Sequence, residues 1–504
     1  TTGYSESVRE PYSQPTMEQR ALKESYAWEA VRRTASIRES AMGLLQGMFR
    51  NEPDPSLIVF NTLSWLRSGI ATVYIDHQIV PRRKNAAIYD SGGARLATQP
   101  LSHRSDGTYW AIRIDSVPPF GYIKLTVRPE EADGASGQAD TGVLENRWYK
   151  ITTDSRKGAI ISLLDKELSA ELIDSSSEYG MGEFILEQLG NRSQMESRML
   201  NDFVRKPLDT IWFESASRGE IWNSIRFYGE SETAVGPRGF MFEIRLHNME
   251  KRIELAYSII KKSITDPESF YIAFPFALEG GRHFTEVAGG VIETGVDQIK
   301  GSSNDWYTVQ NFTSVRNDRM QIVLGSNEMP LMQFGAINTG RYVAGATPQT
   351  TSLFSWPMNN YWVTNFNADQ RGGHLWTYYI TSSADNSDDF ASRFGWGSRV
   401  PFLTRILPGG GPGDDKQEGS FIEGWPEGLI LISAIPSADG LSVILHVRET
   451  EGKEKTLHLV NGLTGQPLKI EEVDVTGRIA PRPSSVIKPF DSRFFRIGLP
   501  EKKD

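Results

Sequence analysis

The chain has no cysteine among its 504 residues. That excludes disulfides, thiolate nucleophiles and Cys-ligated zinc, but assigns no compartment, because periplasmic and cytosolic proteins alike can do without thiols. Histidine is scarce too: there are seven, at His77, His103, His247, His283, His374, His446 and His458. No two are spaced so that one strand or one helical turn would present both to a metal, and none is followed two positions later by Asp. No apolar run approaches the ~20 residues a membrane-spanning helix needs, so no membrane partner is expected. Nor is there an excess of basic charge. With 54 Lys and Arg against 63 Asp and Glu, the net charge is −9, which argues against a nucleic-acid partner, since phosphate binding needs clustered cations. The chain opens at Thr1 without methionine or an apolar h-region, so a signal peptide is expected to have been removed or never to have been there. No repeat of fixed period is visible.

Strand periodicity is what the chain has in abundance. Ile221, Asn223, Ile225 and Phe227 alternate, as do Phe242, Ile244 and Leu246 against Glu243, Arg245 and His247. Ile253, Leu255, Tyr257 and Ile259 follow, and Leu441, Val443, Leu445 and Val447 repeat the pattern near the end. Period two implies half-buried antiparallel strands. With 46 glycines and 26 prolines between short strands, the expected class is mainly β, built as large sandwiches. The length exceeds one ordinary core, so two or three domains are expected.

One segment departs from this. From Thr16 to about Met48, Leu22, Tyr26, Ala30, Ile37, Ala41, Leu45 and Met48 recur at helical steps among Arg and Glu. Thr16 and Gln19 fit a capping box with Pro15 just outside it, which predicts a single rod of roughly 50 Å. Its apolar stripe should be covered, either by folding back on the β domains or by a second chain, because exposed apolar side chains are unfavourable in water. Residues 1–15 lack a sustained apolar period and should fray.

Two stretches resemble linkers. Pro129 to Gly142 (PEEADGASGQADTG) has no large apolar residue, and Pro408 to Gly419 (PGGGPGDDKQEG) is similar. The second lacks the Gly-Lys-Ser/Thr ending of a phosphate loop and reads as a flexible surface loop.

The segment Trp356 to Gln370, WPMNNYWVTNFNADQ, carries no charge until Asp369. Asn359, Asn360 and Asn365 each offer an acceptor and two donors on a short arm, suited to a ring of hydroxyls, and Tyr361 and Trp362 offer flat faces for sugar C–H surfaces. The alternative is an Asn-rich turn between buried strands.

This segment resembles the MNNYW-x-TN segment in the C-terminal β region of glycoside hydrolase family 38, the α-mannosidases. LIVFNTLSWLR (57–67) resembles the family's lead-in to its first β domain, and Leu144 to Glu167 the opening hairpin of its large β domain. YIAFPF (271–276), DWYTVQNF (305–312), LILISAIPSADGLSVILHVRETEG (429–452) and IKPFDSRFFRI (487–497) have counterparts in the same order. The resemblance implies a helical segment over 1–50 that ends a helix bundle, and a small β-sandwich over 51–129. It further implies a large galactose-mutarotase-like super-sandwich over 143–407 and a C-terminal β-sandwich unit over 420–504. It implies that Asn359, Asn360, Trp362, Thr364 and Asn365 bind substrate, a mannose-containing oligosaccharide, and that the protein self-associates into a homo-oligomer.

Family members also carry an N-terminal barrel with an Asp nucleophile and a zinc ion whose ligands include a His-x-Asp signature. Neither is found here, so the chain is similar to the C-terminal portion of such an enzyme. Zinc is expected in the barrel rather than in this chain, and this chain alone is expected to be inactive. A retaining glycosidase needs two carboxyl groups about 5–5.5 Å apart. Asp305, Asp369 and Glu423 stand near aromatic or amide residues, yet each reads as a solvated or turn-forming group, and no catalytic residue is assigned. Two other functions stay open: a stand-alone mutarotase-like epimerase or lyase using a His and a Glu, with His247/Glu243 and His283/Glu286 the nearest pairs, and a non-catalytic carbohydrate-binding module.

Overall fold

The computed structural model describes residues 6–131, 142–302, 305–341, 347–363, 365–413, 416–438 and 440–498. Two compact units emerge: residues 1–40, 136–386 and 394–399 form the first, and 41–135, 387–393 and 400–504 the second.

The first unit holds the large sandwich. A nine-stranded antiparallel sheet has Thr210–Ser217 at one edge, then Trp222–Glu230, Phe240–His247, Ile253–Lys261 and Gly372–Ser383, and continues through Gln321–Ser326 to Gly290–Glu293. Opposite it stands a six-stranded sheet in which Phe184–Leu189, Glu268–Pro275 and Ser352–Asn359 are neighbours. The alternating apolar residues meet in one core, including Ile225, Phe227, Phe242, Ile244, Leu255, Tyr257 and Trp376. Phe227, Phe242, Tyr257 and Trp376 stack in sequence across four adjacent strands, with ring centroids 5.5, 5.3 and 5.4 Å apart. Such cross-strand pairs fix register, because a one-residue slip would move every ring to the other face.

The outer face of these strands is less solvated than alternation implies. Glu243 and His247 are buried, covered by Arg226 and Arg245, whose guanidiniums lie 3.3 and 2.8 Å from Glu243, and by Trp222, whose ring centre is 5.5 Å from that of His247. Long Arg stems cover apolar surface while their charged heads pair.

In the second unit, Leu403–Leu407, Ser56–Asn61, Gly121–Glu131, Lys84–Tyr89 and Arg95–Leu96 form one sheet, and Glu418–Ser420 also pairs with Gly121–Glu131. Arg67–Asp76, Gly107–Val117 and Thr98–His103 form the facing sheet. Residues 403–407, counted with the large sandwich from sequence, thus pair with Ser56–Asn61 instead. Every residue of Ser56–Asn61 is buried. Leu57 and Val59 enter the sandwich core, whereas Ile58 and Phe60 pack with Met42, Tyr122 and Leu407. A strand covered on both faces needs an unbroken apolar run, and SLIVF supplies it. A further four-stranded sheet, Leu429–Pro436, Ser442–Glu449, Ser492–Gly498 and Ile470–Val473, has its own core around Leu445, Val447 and Phe495.

The Gly-rich stretch is no free linker. Gly410, Gly411 and Gly413 donate backbone N–H groups to Pro53, Glu52 and Asn51 at 2.9, 3.1 and 3.0 Å. At Gly411 a Cβ would lie 2.0 Å from the Asn51 carbonyl oxygen, so the close approach of two backbones requires glycine there. Of the other expected linker, residues 132–141 lie outside the described residues.

The long helix runs Gln14–Gln46. It starts earlier than the Thr16 capping box implies: Ser13 stands just before it and donates its hydroxyl to Thr16 Oγ1 at 3.0 Å. Pro15 falls in the first turn, where its missing N–H breaks no helical bond. The apolar stripe is not folded onto this chain. Leu22, Tyr26 and Ile37 are 50%, 66% and 69% exposed. Thr16 in the first turn is buried, and towards the other end Met42, with Leu45 against it, joins the Ile58 and Phe60 cluster.

Candidate sugar-facing loop

The Asn-rich segment leaves the six-stranded sheet at the end of Ser352–Asn359. Its register against Glu268–Pro275 shifts between Phe270 and Ile272, which pair with Met358 and Ser355. Trp356 and Pro357 therefore oppose the single residue Tyr271, and proline, lacking an N–H, sits where the ladder is broken. The bulge buries Trp356, whose indole N–H donates to Ser269 Oγ and whose ring lies parallel to Tyr271 at 5.9 Å.

Asn360 ends the pairing and ties the loop. It is 1% exposed; its Oδ1 accepts from Glu268 N–H at 2.8 Å, and its Nδ2 donates to the carbonyls of Asp266 at 2.9 Å and Ala368 at 3.2 Å. Both amide hydrogens are used, so Asn360 builds the loop and presents nothing to a sugar. Tyr361 is buried as well, donating to Glu187. Glu187 is itself fully buried against Arg205 at 2.7 Å and accepts from Tyr271 and Thr339. Burial, with Glu187 beside them, pushes the Tyr361 and Tyr271 hydroxyls well above the usual tyrosine range. They stay neutral donors.

The other predicted residues stand differently. Asn359 is half-buried, with Oδ1 3.4 Å from Tyr361 N–H. Trp362 is half-buried, its ring edge-on to Trp306 at 5.9 Å. Asn365 is exposed, adopts a left-handed φ of 55°, which Asn tolerates better than most residues, and accepts from Lys23 Nζ at 3.2 Å. Thr364 lies outside the described residues.

Sequence reasoning missed the cations that hold this loop. Arg192 donates to the carbonyls of Asn360 and Trp362 at 2.9 and 3.0 Å and to that of Thr265 at 2.5 Å; its burial pulls the guanidinium below the ordinary arginine range. Arg198 donates to Tyr361 O at 3.3 Å and lies 5.5 Å over the Trp362 ring. From the long helix Arg20 reaches Asp369 at 3.7 Å, and Arg371 reaches the same carboxylate at 3.3 Å. No local pattern marks these arginines, which lie up to about 350 positions from their partners in the case of Arg20.

The remaining candidates do not assemble into a catalytic pair. Asp369 is paired with Arg20 and Arg371, Asp305 is buried, and Glu423 is exposed on a short strand. His247 faces Glu250 and Glu254, each at 3.5 Å, rather than Glu243. Glu286 accepts from Trp396 Nε1 at 2.8 Å and from Asn311, while His283 Nε2 bonds Thr350 O at 2.9 Å. Burial lowers the His283 pKa below the usual imidazole range, which favours the neutral ring. Among the described residues no three His, Asp or Glu side chains are grouped as metal ligands would be.

The fold thus defines a mainly β protein of several sandwiches led by one long helix. No family model matches the sequence, and no curated protein does. Solved structures do. A protein in glycosyl hydrolase family 38 from Enterococcus faecalis superimposes with a TM-score of 0.64 at 11% identity, covering 90% of this chain and 60% of that one. An α-mannosidase from the same organism gives 0.66 at 10% identity, covering 96% of this chain and 60% of that one. A galactose mutarotase-like protein from Lactobacillus casei covers 49% of this chain and all of its own, at a TM-score of 0.28 and 10% identity, too loose an overlap to carry an argument. This chain has the fold of part of the family 38 proteins and spans 60% of their length.

Proposed function

We propose that this chain is the C-terminal part of a retaining α-mannosidase-like glycoside hydrolase acting on mannose-containing glycans, and that its loop 359–371 completes the sugar-binding site. In this reading the zinc ion and the reacting carboxylates belong to a catalytic barrel elsewhere in the parent polypeptide. One observation carries it: the Trp356–Gln370 segment that resembles the family motif is a loop clamped from beneath by Asn360, Arg192 and Arg198, with Asn359 and Trp362 half-buried and Asn365 exposed at its surface. A rigid loop loses little entropy when it meets a ligand, which suits a recognition surface. Asn359 amide hydrogens, the Trp362 ring and the Asn365 amide are the groups offered to hydroxyls and C–H faces.

The test has two arms. The purified chain, given zinc and an aryl α-mannoside, is expected to show no turnover and to retain no stoichiometric metal; zinc-dependent turnover with bound metal would overturn the division of labour. Binding of mannose oligosaccharides is expected to weaken about tenfold in Trp362→Ala, as loss of one aromatic contact implies. Unchanged affinity would remove the loop from the sugar site.

A further inference from the structure

A cleft of about 190 Å³ opens in the second unit, between the turn after Ser56–Asn61, the segment 425–430 and the start of the helix Asp388–Arg399. It has room for one monosaccharide-sized ring. Trp65 and Trp425 line it together with Leu66, Asp389, Arg393 and Glu427.

Its walls are preformed. The Asn61 carboxamide donates to the Trp65, Val117 and Pro118 carbonyls at 2.8, 3.2 and 3.0 Å and accepts from Leu63 N–H at 3.0 Å. Ser64 joins the two loops by donating to Leu429 O at 3.0 Å and accepting from Leu431 N–H at 3.3 Å. The motif Asn-x-Leu-Ser-Trp is therefore a bracket that presents Trp65. Trp425 is fixed by its own N–H, 2.6 Å from Leu429 O, and by Phe120 edge-on at 4.8 Å. Asp389 is oriented by the Thr450 hydroxyl at 2.7 Å and by Arg393 Nε at 2.7 Å.

Several lining groups have chemistry left over. Among the described residues Arg393 pairs with Asp389 alone, which leaves guanidinium N–H groups available. Glu427 is exposed and, among the described residues, is in no ion pair, and the Trp65 indole N–H meets no acceptor among them. Donors and an acceptor thus converge beside two aromatic faces. An anion would meet the Asp389 and Glu427 carboxylates, and a purely apolar ligand would leave Arg393 and Glu427 without partners. Hydroxyls both donate and accept, and a pyranose adds C–H faces for the indoles.

We propose that this cleft is a carbohydrate-binding subsite for a single neutral sugar residue. It uses none of the residues of loop 359–371 and does not depend on that loop's role. The experiment titrates the full chain with methyl α-D-mannopyranoside and methyl β-D-glucopyranoside, read by saturation-transfer NMR and tryptophan fluorescence. Saturable binding of at least one sugar in the millimolar range is expected, as few contacts imply. Trp65→Ala should weaken it about tenfold. Glu427→Gln, a change at an exposed residue, should weaken it severalfold, and Ile37→Glu, on the exposed part of the long helix, should leave it unchanged. No saturable binding of either sugar would overturn the proposal, as would binding unaffected by both cleft variants. Binding lost only in Trp362→Ala would overturn it too while leaving the loop reading intact.

Discussion

Asn360→Ala offers the sharpest test of how the Asn-rich loop is built. The substitution deletes three hydrogen bonds at once: from Glu268 N–H, to Asp266 O and to Ala368 O. The site is 1% exposed, so water does not replace them without local opening. At about 1 kcal/mol net for each bond, with a further penalty for a buried donor left unmade, the loss is roughly 3 kcal/mol. Urea unfolding followed by tryptophan fluorescence would read it as a lower midpoint of the first unit's transition, fitted separately because a two-unit chain need not unfold in one step. Hydrogen exchange gives the local readout: the Glu268 amide should lose protection. Asn360→Asp keeps the acceptor but loses both donors and buries a charge, so it should be no milder than the alanine variant. A change below about 0.5 kcal/mol with Glu268 still protected would refute the clamp and return Asn360 to the pool of ligand-facing groups.

Other perturbations probe separate parts of the fold. Burial alone would raise the Glu254 carboxyl, but the His247 imidazole and Arg245 guanidinium outweigh it and hold it at about 2. A depressed carboxyl contributes stability that is present above its unfolded pKa of about 4.3 and is lost as pH falls towards 2, so Glu254→Gln should flatten the acid limb of the pH–stability profile; an unchanged limb would contradict this. Gly411→Ala sets a Cβ 2.0 Å from the Asn51 carbonyl and should destabilise the second unit by about 1–3 kcal/mol, measured as a shift in its thermal midpoint. Met42→Ala, in the cluster with Ile58 and Phe60, should lower stability by about 2–4 kcal/mol, whereas Ile37→Glu on the exposed part of the same helix should change it by under about 0.5 kcal/mol in denaturant titration. A large loss from Ile37→Glu would show that its face is covered in solution.

The sequence by itself determined the class of this protein. Period-two strands and the long helix follow from local alternation and helical spacing, and the helix runs Gln14–Gln46 against an expected 16–48. The cores around Ile225, Phe242 and Leu255 were legible because a buried face must repeat every second residue. The Asn-rich segment was legible as unusual chemistry, but not in its division of roles. Asn359 and Asn360 are adjacent and identical, and only the register of Ser352–Asn359 against Glu268–Pro275 decides that the second is buried in backbone bonds while the first stays half-open. The Gly-rich stretch at 409–413 read as slack chain because its partners, Asn51 to Pro53, are more than 350 positions away. Arg192, Arg198 and the Trp65–Trp425 cleft had no local signature either. Local patterns encode which face of an element is apolar; which loops meet, and which polar groups they consume or leave open, depends on long-range pairing that only the tertiary structure decides.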